Sequence, residues 1–528
     1  MVNKRLQVWL PLLFSIIMVI GMMVGYKLHE NSGVKNFFTI NNKSPMQEVL
    51  DLIRLRYVDN VPVDSIADKA INNLLHQLDP HSVFIPESEI EYVNDDLRGN
   101  FSGIGIEFQV FDDTVNVLNV LPGGPSAKAG LQVGDKFIKV NDTINIAGKH
   151  LQADDIRKLL RGANGSPVKL TVFRDNRPIS ITVNRGTIAV PSVDASYMIT
   201  PGTGFIHINK FAETTYPEFM QALEKLKTQN LQKLILDLRG NGGGLLSQAV
   251  NIADEFLDED KLIVYTQGSH VPKNEYRCKR PGLFEKGELV LLVDEGSASA
   301  SEVLSGALQD WDRATIVGRR TFGKGLVQEQ FELSDGSALR LTVARYYSPL
   351  GRNIQKPYTE GYEKYEEEVT QRFHNGEVLK GDTTKRTGRA FKTPKGRIVY
   401  GGGAITPDIY VPFDTASMGK DVTKLYIKGT LSNFIYNYYI THKQEFDQFK
   451  KSTDLAEHFK AGETEWDALK KFAAKDSINL SKISPKDKAY IIKRIPALLA
   501  RQIWRYEGYY EVMNQTDDFV QKALTVLK

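Results

Sequence analysis

The chain has 528 residues, of which 41% are hydrophobic, 25% charged and 10% aromatic; this is a globular composition that excludes a wholly disordered, collagen-like or polytopic membrane protein. At about 150 residues per domain, the length points to roughly three or four domains. Lys+Arg 67 against Asp+Glu 64 leaves +3, which gives no electrostatic footprint for sequence-independent nucleic-acid binding, and the single cysteine, Cys278, excludes an internal disulfide framework and any cysteine-rich metal site.

Lys4 and Arg5 precede a nearly continuous apolar run from Val8 to Tyr26. That run is close to the ~20 residues that span a bilayer and longer than a usual signal-peptide core. Lys27-Leu28-His29-Glu30-Asn31 offers no small-x-small cleavage site. Residues 1–30 therefore read as an uncleaved signal anchor, with a cleaved signal peptide as the alternative. Either predicts that the rest of the chain lies on the periplasmic or extracytoplasmic side, and the anchor would tie it to the inner membrane.

Residues 31–98 read as helical, with Val49, Leu52, Ile53 and Leu55, then Ile66, Ala70, Ile71, Leu74 and Leu75, at spacings of three and four. Such stripes need a partner to cover them. The segment closes on Leu78-Asp79-Pro80-His81-Ser82, where proline stops the helix and Asp, His and Ser supply turn chemistry.

From 99 to 186 the pattern becomes short alternating runs broken by glycine and proline, with one helix, Ala153 to Leu160, which predicts a small β domain. Its opening, Ser102-Gly103-Ile104-Gly105-Ile106-Glu107-Phe108, puts glycines where a loop must present successive N–H groups, a geometry suited to a carboxylate. Together with Pro122-Gly123-Gly124-Pro125-Ser126-Ala127 and Ala129-Gly130-Leu131-Gln132-Val133-Gly134-Asp135, the stretch resembles a PDZ domain. The resemblance implies that Gly103, Ile104, Gly105 and Ile106 capture a peptide C-terminus while the peptide adds as a β-strand.

Between 187 and 414 strands and helices alternate, as in an α/β layer domain. A polar insertion at about 357–400 interrupts it, and 415–528 is helical and charged with aromatic residues at helical spacing, such as Tyr436, Tyr439 and Phe446. Two phosphate-binding look-alikes fail on inspection. Gly318-Arg319-Arg320-Thr321-Phe322-Gly323-Lys324-Gly325 lacks the hydroxyl after the lysine and runs on into an alternating, strand-like segment, and Asp237-Leu238-Arg239-Gly240-Asn241-Gly242-Gly243-Gly244-Leu245 has leucine where the dinucleotide fingerprint needs a small residue. No His-Glu-x-x-His is present, so the commonest zinc-protease arrangement is absent.

What remains can carry acyl transfer. Strand Leu289-Val290-Leu291-Leu292-Val293-Asp294 runs into Ser299 at a helix start, where N–H groups and the helix dipole would stabilise an oxyanion. Ser299-x-x-Glu302 is also a capping box. A serine nucleophile needs a base, and Lys324 would serve if burial left its amine neutral. Gln328 lies four residues on, an even spacing that in a strand puts both side chains on one face.

Gly296-Ser297-Ala298-Ser299-Ala300-Ser301-Glu302, Ala307-x-x-Asp310, Thr321-Phe322-Gly323-Lys324-Gly325, Val327-Gln328, the Leu78–Ser82 turn and Asp237-Leu238-Arg239-x-Asn241-Gly242-Gly243-Gly244 occur in the same order as in the carboxyl-terminal processing, or tail-specific, serine proteases, which this chain resembles from about Pro45 to Pro412. The resemblance implies a multidomain α/β protein: a ClpP/crotonase-like protease core with an inserted PDZ-like β domain, N-terminal helices and a C-terminal helical region. It implies Ser299 as nucleophile, Lys324 as general base, Gln328 as the residue orienting the lysine, and the backbone N–H groups of Gly243 and Ala300 as the oxyanion hole. Glu302, Asp310 and Thr321 also fall on family positions, with capping and core hydrogen bonding as their expected roles. Expected substrates are proteins or peptides with exposed apolar C-termini, with no metal, cofactor or nucleic acid; an adaptor protein and a homo-oligomer stay open as further partners. The alternative is a non-catalytic PDZ-containing envelope binding or scaffold protein on the same fold.

Overall fold

The computed structural model describes residues 9, 14–24, 27, 44–111, 113–258, 260–381, 388–414 and 419–527. They form two compact units, Met1–Ile71 and Asn72–Lys528. In the first, residues 14–24 are helical; Lys4, Arg5 and the rest of the Val8–Tyr26 run apart from Trp9 lie outside the described residues. Among the described residues no helix is long and apolar enough to cross a membrane. Helix Pro45–Arg56 begins on Ser44, whose hydroxyl accepts from the Gln47 N–H at 3.4 Å, and its Val49, Leu52 and Leu55 are exposed.

The second unit is built on a six-stranded sheet in the order Val193–Thr200, Thr203–Ile208, Lys233–Asp237, Glu288–Val293, Thr315–Gly318, Ile409–Tyr410. The first pair is antiparallel and the others are parallel. Period-two alternation sorts the side chains. Ile206, Leu236 and Leu291 pack with Phe219, Leu223, Ile252 and Leu304 of helices Thr215–Lys227, Leu246–Asp254 and Ala300–Asp310. Phe205, Ile235, Val290 and Leu292 pack with Phe519, Val520 and Ala523 of the last helix, Asp518–Val526. Burial on both faces is why the central strands are continuously apolar.

A second sheet pairs Ala338–Tyr347 with Leu326–Glu332, with Leu262–Gln267 and with Val83–Ile85, and Leu262–Gln267 pairs in turn with Asn274–Arg277. The three-residue strand Val83–Ile85 falls in a segment whose pattern reads as helical. It is held by the sheet beside it, since three residues carry no periodicity of their own.

The β domain is a sheet of Ile106–Phe111, Thr114–Val120, Lys136–Val140, Pro167–Arg174 and Arg177–Asn184, with Ile144–Asn145 added to Lys136–Val140. It has its own core of Val117, Phe137, Ile156, Leu170 and Val183. Its entry and exit strands, Asn100–Gly103 and Gly186–Ala189, pair with each other. The C-terminal helices enclose a separate cluster that includes Leu425, Phe434, Trp466 and Ile491. Their 29-residue helix Pro485–Met513 kinks at Arg505, which has φ 61°. Around the kink Arg505 pairs with Glu107 of the β domain at 2.8 Å, and Gln502 donates to the Leu118 carbonyl at 2.6 Å. Further along, the Tyr510 hydroxyl lies 3.0 Å from His207 Nε2, and Asp517 accepts from Arg239 at 3.0 Å. Cys278 is buried, and burial pushes its thiol up to about 12.

Candidate active site

Ser299 stands between strand Glu288–Val293 and helix Ala300–Asp310, every residue of which is buried. Its backbone has φ 54° and ψ −113°, a region that costs a non-glycine residue about 1–3 kcal/mol and persists only when the surroundings enforce it. They do so here. The Asn241 carbonyl accepts from the Ala298 N–H at 3.0 Å and from the Ser301 hydroxyl at 2.9 Å, and the Ser297 hydroxyl donates to the Leu238 carbonyl at 2.8 Å. The loop 237–244 is thus laced to the loop carrying the serine. A capping serine spends its hydroxyl on the first turn; the hydroxyl of Ser299 makes no such bond.

The other half of the capping box is present and does more than cap. The buried carboxylate of Glu302 accepts four hydrogen bonds, from the N–H groups of Ser299 (2.9 Å), Gly323 (2.8 Å) and Lys324 (2.8 Å) and from the Thr321 hydroxyl (2.5 Å). One side chain therefore holds the backbones of Ser299 and Lys324 within two hydrogen-bond lengths of each other. Burial pushes the Glu302 carboxyl up to about 7, against the pull of those bonds. The Tyr346 hydroxyl reaches the carbonyls of both residues as well, Ser299 at 3.2 Å and Lys324 closer still. Asp310 is a structural residue, ion-paired in the core with Arg352 at 2.6 Å.

Burial, reinforced by the charge of Arg340, lowers the Lys324 amine below its ordinary value, while Asp79 and Glu302 oppose the shift. The amine donates to Gln328 Oε1 at 3.0 Å, and Gln328 Nε2 donates to the His81 carbonyl. Lys324 and Gln328, four residues apart, meet through the first of those bonds. Lys324 lies just before strand Leu326–Glu332, and the register shift beside Gln328 puts its extra residue, Val343, in the partner strand Ala338–Tyr347, so the alternation of Leu326–Glu332 is unbroken. The His81 carbonyl fixes the Gln328 amide with its oxygen toward the amine. Lys324 Nζ and the Ser299 hydroxyl are not hydrogen-bonded to each other.

The expected oxyanion donors differ from each other. Among the described residues the Ala300 N–H, at the helix start, has no partner. Gly243 lies against the serine, and a Cβ there would come within 2.8 Å of Ser299 Cβ. Its N–H, however, donates to Asn241 Oδ1 at 2.9 Å, so the pair expected from the sequence is only half open. Asn241 is buried, with its amide donating to the Ile208 carbonyl at 2.8 Å.

Two segments support the site in ways sequence reasoning did not show, although it did read the first as a turn. The turn at Asp79 is tied by its own carboxylate, which accepts from the N–H groups of His81 (2.7 Å) and Ser82 (2.9 Å) and from the Ser82 hydroxyl (2.6 Å). The His81 ring sits edge-on to Tyr365, 2.8 Å from its hydroxyl. Burial, and next the charge of Lys324, push the imidazole down to about 3. An unfolded chain titrates this histidine near 6.5, so a depressed folded value contributes stability above pH 6.5 that drains away as pH falls toward 3. Thermal melts at pH 7 and pH 4 should show a smaller acid loss for His81→Gln than for the parent; equal losses would remove His81 from the account.

The second support is the polar insertion. Its helix Tyr362–His374 buries Arg372, whose guanidinium donates to the carbonyls of Arg320 (3.0 Å), Thr321 (2.7 Å) and Phe322 (3.2 Å). Those residues lead directly into Gly323-Lys324. Glu368 holds Arg372 at 2.8 Å and Arg320 at 2.9 Å. Although burial alone would raise the Glu368 carboxyl, Arg372, Arg320 and Lys356 hold it down to about 2. A lone arginine in a charged stretch gives no sign of burial; the one available signal was the aromatic and basic spacing of Tyr365 and Arg372.

In the β domain, Gly103 ends the entry strand, Gly105 has φ 75°, and Ile106 opens the strand Ile106–Phe111. Among the described residues neither the Ile104 nor the Gly105 N–H has a partner, and a cavity of about 180 Å3 lies between this loop and Leu160.

The profile of peptidase family S41 matches residues 202–363, that of the PDZ domain residues 102–184, and that of a family of unknown function, DUF8443, residues 422–505. A carboxy-terminal-processing protease of Bartonella bacilliformis is 32% identical over 366 residues, covering 66% of this chain and 83% of that protein. A "Probable CtpA-like serine protease" of Staphylococcus haemolyticus is 33% identical over 362 residues, covering 67% and 72%. Among solved structures, the photosystem II D1 C-terminal processing protease is 27% identical and covers 70% of this chain and 88% of that one, with a TM-score of 0.36. The protein is a serine-type peptidase carrying a PDZ domain. It belongs to the carboxy-terminal-processing proteases of peptidase family S41.

Proposed function

We propose that this chain is an endopeptidase that works with a Ser299/Lys324 dyad on proteins selected through their C-terminal tails. The observation that carries the reading is the strained Ser299, its hydroxyl unspent at a helix N-terminus, fixed through Glu302 to the lysine whose amine burial lowers. In the reaction the neutral Lys324 amine turns from Gln328 to take the Ser299 proton as Oγ adds to the scissile carbonyl. The oxyanion is held by the Ala300 N–H and by the Gly243 N–H once it leaves Asn241. The lysinium returns the proton to the leaving amine, and water, deprotonated by the same lysine, releases the acyl group.

The unpartnered N–H groups of Ile104 and Gly105 would receive the tail's carboxylate, with the tail adding to strand Ile106–Phe111. Action outside the cytoplasm is part of this proposal, supported by Lys4, Arg5 and the apolar run that follows. A serine-reactive fluorophosphonate followed by peptide mass spectrometry should label Ser299. The parent should also cleave an unfolded protein with a free apolar C-terminus at least about tenfold faster than the same protein C-terminally amidated. Label on another serine would sink the dyad, and equal rates would sink tail selection.

A further inference from the structure

Strand Ile106–Phe111 is paired with Thr114–Val120 on one side only. Along its other side the small cavity at the glycine loop is followed by a second of about 770 Å3. Phe108 and Arg157 line both, so the two are successive parts of one groove between this strand and helix Ala153–Leu160. The second cavity continues past Val110 and Leu151, and one of its walls comes from outside the PDZ domain. It is Ile427, the last residue of helix Lys420–Ile427 in the C-terminal region, with 80% of its surface exposed.

We propose that the C-terminal helical region forms a specificity wall of the tail groove, in which Ile427 meets an apolar side chain about five residues before the substrate's terminal carboxylate. The proposal rests on the tail-binding reading above and adds to it a second point of selection. The position follows from strand geometry: an added strand advances ~3.3 Å per residue, so a tail whose carboxylate sits at Ile104 and Gly105 runs about five residues before it passes Val110. A tail of three residues stops short of Ile427.

Singly exposed isoleucines are common and mean little alone; what matters here is that the region carrying this one is seated on the strand that receives the tail. Gly429, just past the helix, has φ 68°, and a Cβ there would lie 3.1 Å from Gln109 Nε2. The Arg505–Glu107 ion pair and the Gln502 bond to Leu118 grip the same hairpin. Phe108, Val110, Leu151 and Ile427 supply the apolar part of the far end, whose rim carries Gln109, Gln152, Arg157 and the paired Asp113 and His150, 3.2 Å apart. An aliphatic side chain buries apolar surface against Ile427 and Val110, which a carboxylate cannot do, and the Arg157 guanidinium on the rim is already paired with Asp154.

The test is fluorescence polarisation with the full chain carrying Ser299→Ala, so that no probe is consumed. Three labelled peptides share the same apolar last four residues: an eight-residue peptide with leucine fifth from the end, the same peptide with aspartate there, and the four-residue tail alone. The leucine peptide should bind about tenfold more tightly than either of the others, and adding Ile427→Asp should bring all three within about twofold. Circular dichroism melts check that this exposed substitution leaves the fold intact. Equal binding of the leucine and aspartate peptides, or a preference that survives Ile427→Asp, overturns the proposal. Binding of every peptide that is indifferent to C-terminal amidation, or none at all, overturns the tail-binding reading itself, a different outcome from either of those.

Discussion

Ser299→Ala and Lys324→Arg are each expected to lower kcat by roughly 10^4-fold or more while leaving the affinity for an apolar-tailed peptide unchanged. Alanine removes the atom that bonds to the carbonyl. Arginine keeps the length and charge of lysine but stays protonated, so it cannot accept the serine proton. Because the two residues act as a unit, the double variant should be no slower than the worse single one. The parent's pH profile gives an independent check. Only the neutral amine can act as base, so kcat/KM should climb with pH through the lysine's own titration, on a limb below the ordinary lysine value near 10.4. Burial is the main cause of that lowering and the Arg340 charge the next. Arg340→Met removes the second and should move the limb to higher pH. An active Lys324→Arg enzyme would exclude the dyad.

Glu302→Gln is the second large effect. Its carboxylate takes four donors at one buried point, whereas an amide offers one acceptor oxygen and turns two donors of its own toward the remaining N–H groups. Leaving at least two buried donors unsatisfied, at about 1–3 kcal/mol each, should cost about 3 kcal/mol of stability in a denaturant titration. The catalytic loss should be larger than a purely structural role would give. The same carboxylate sets the spacing of nucleophile and base, and a displacement of about 1 Å in such a pair costs about 10^2-fold in kcat. A variant that melts early but turns over at the parent's rate below its melting point would make Glu302 a core residue and nothing more.

Much of this was legible in the sequence, for reasons that differ along the chain. Ser299, Lys324 and Gln328 were weak signals singly and joined only through the family resemblance of the motifs around them, whereas the parallel sheet follows from strands apolar on both faces, such as Leu289–Val293. Gln328 was reached through an even spacing from Lys324, which itself lies just outside strand Leu326–Glu332, and the His81 carbonyl that fixes the Gln328 amide is not written in that spacing. Gly243 was placed correctly against the serine, but the direction of its N–H is set by the Asn241 side chain, and no spacing encodes that. The strands Val193–Thr200 and Asn274–Arg277 passed unnoticed because polar residues interrupt them and neighbouring strands supply their stability. Arg372 and the His81 carbonyl lie far in sequence from the residues they steady. Such contacts exist only once the chain has closed on itself.

The lone thiol has a practical consequence. With Cys278 buried and its thiol pushed up to about 12, thiolate reagents near neutral pH find almost nothing to attack. A cysteine placed at residue 427 or on the glycine loop would then be the one reactive handle on the folded protein. Spin labels or paired dyes at such positions could follow the tail groove in real time, without first stripping the chain of native thiols.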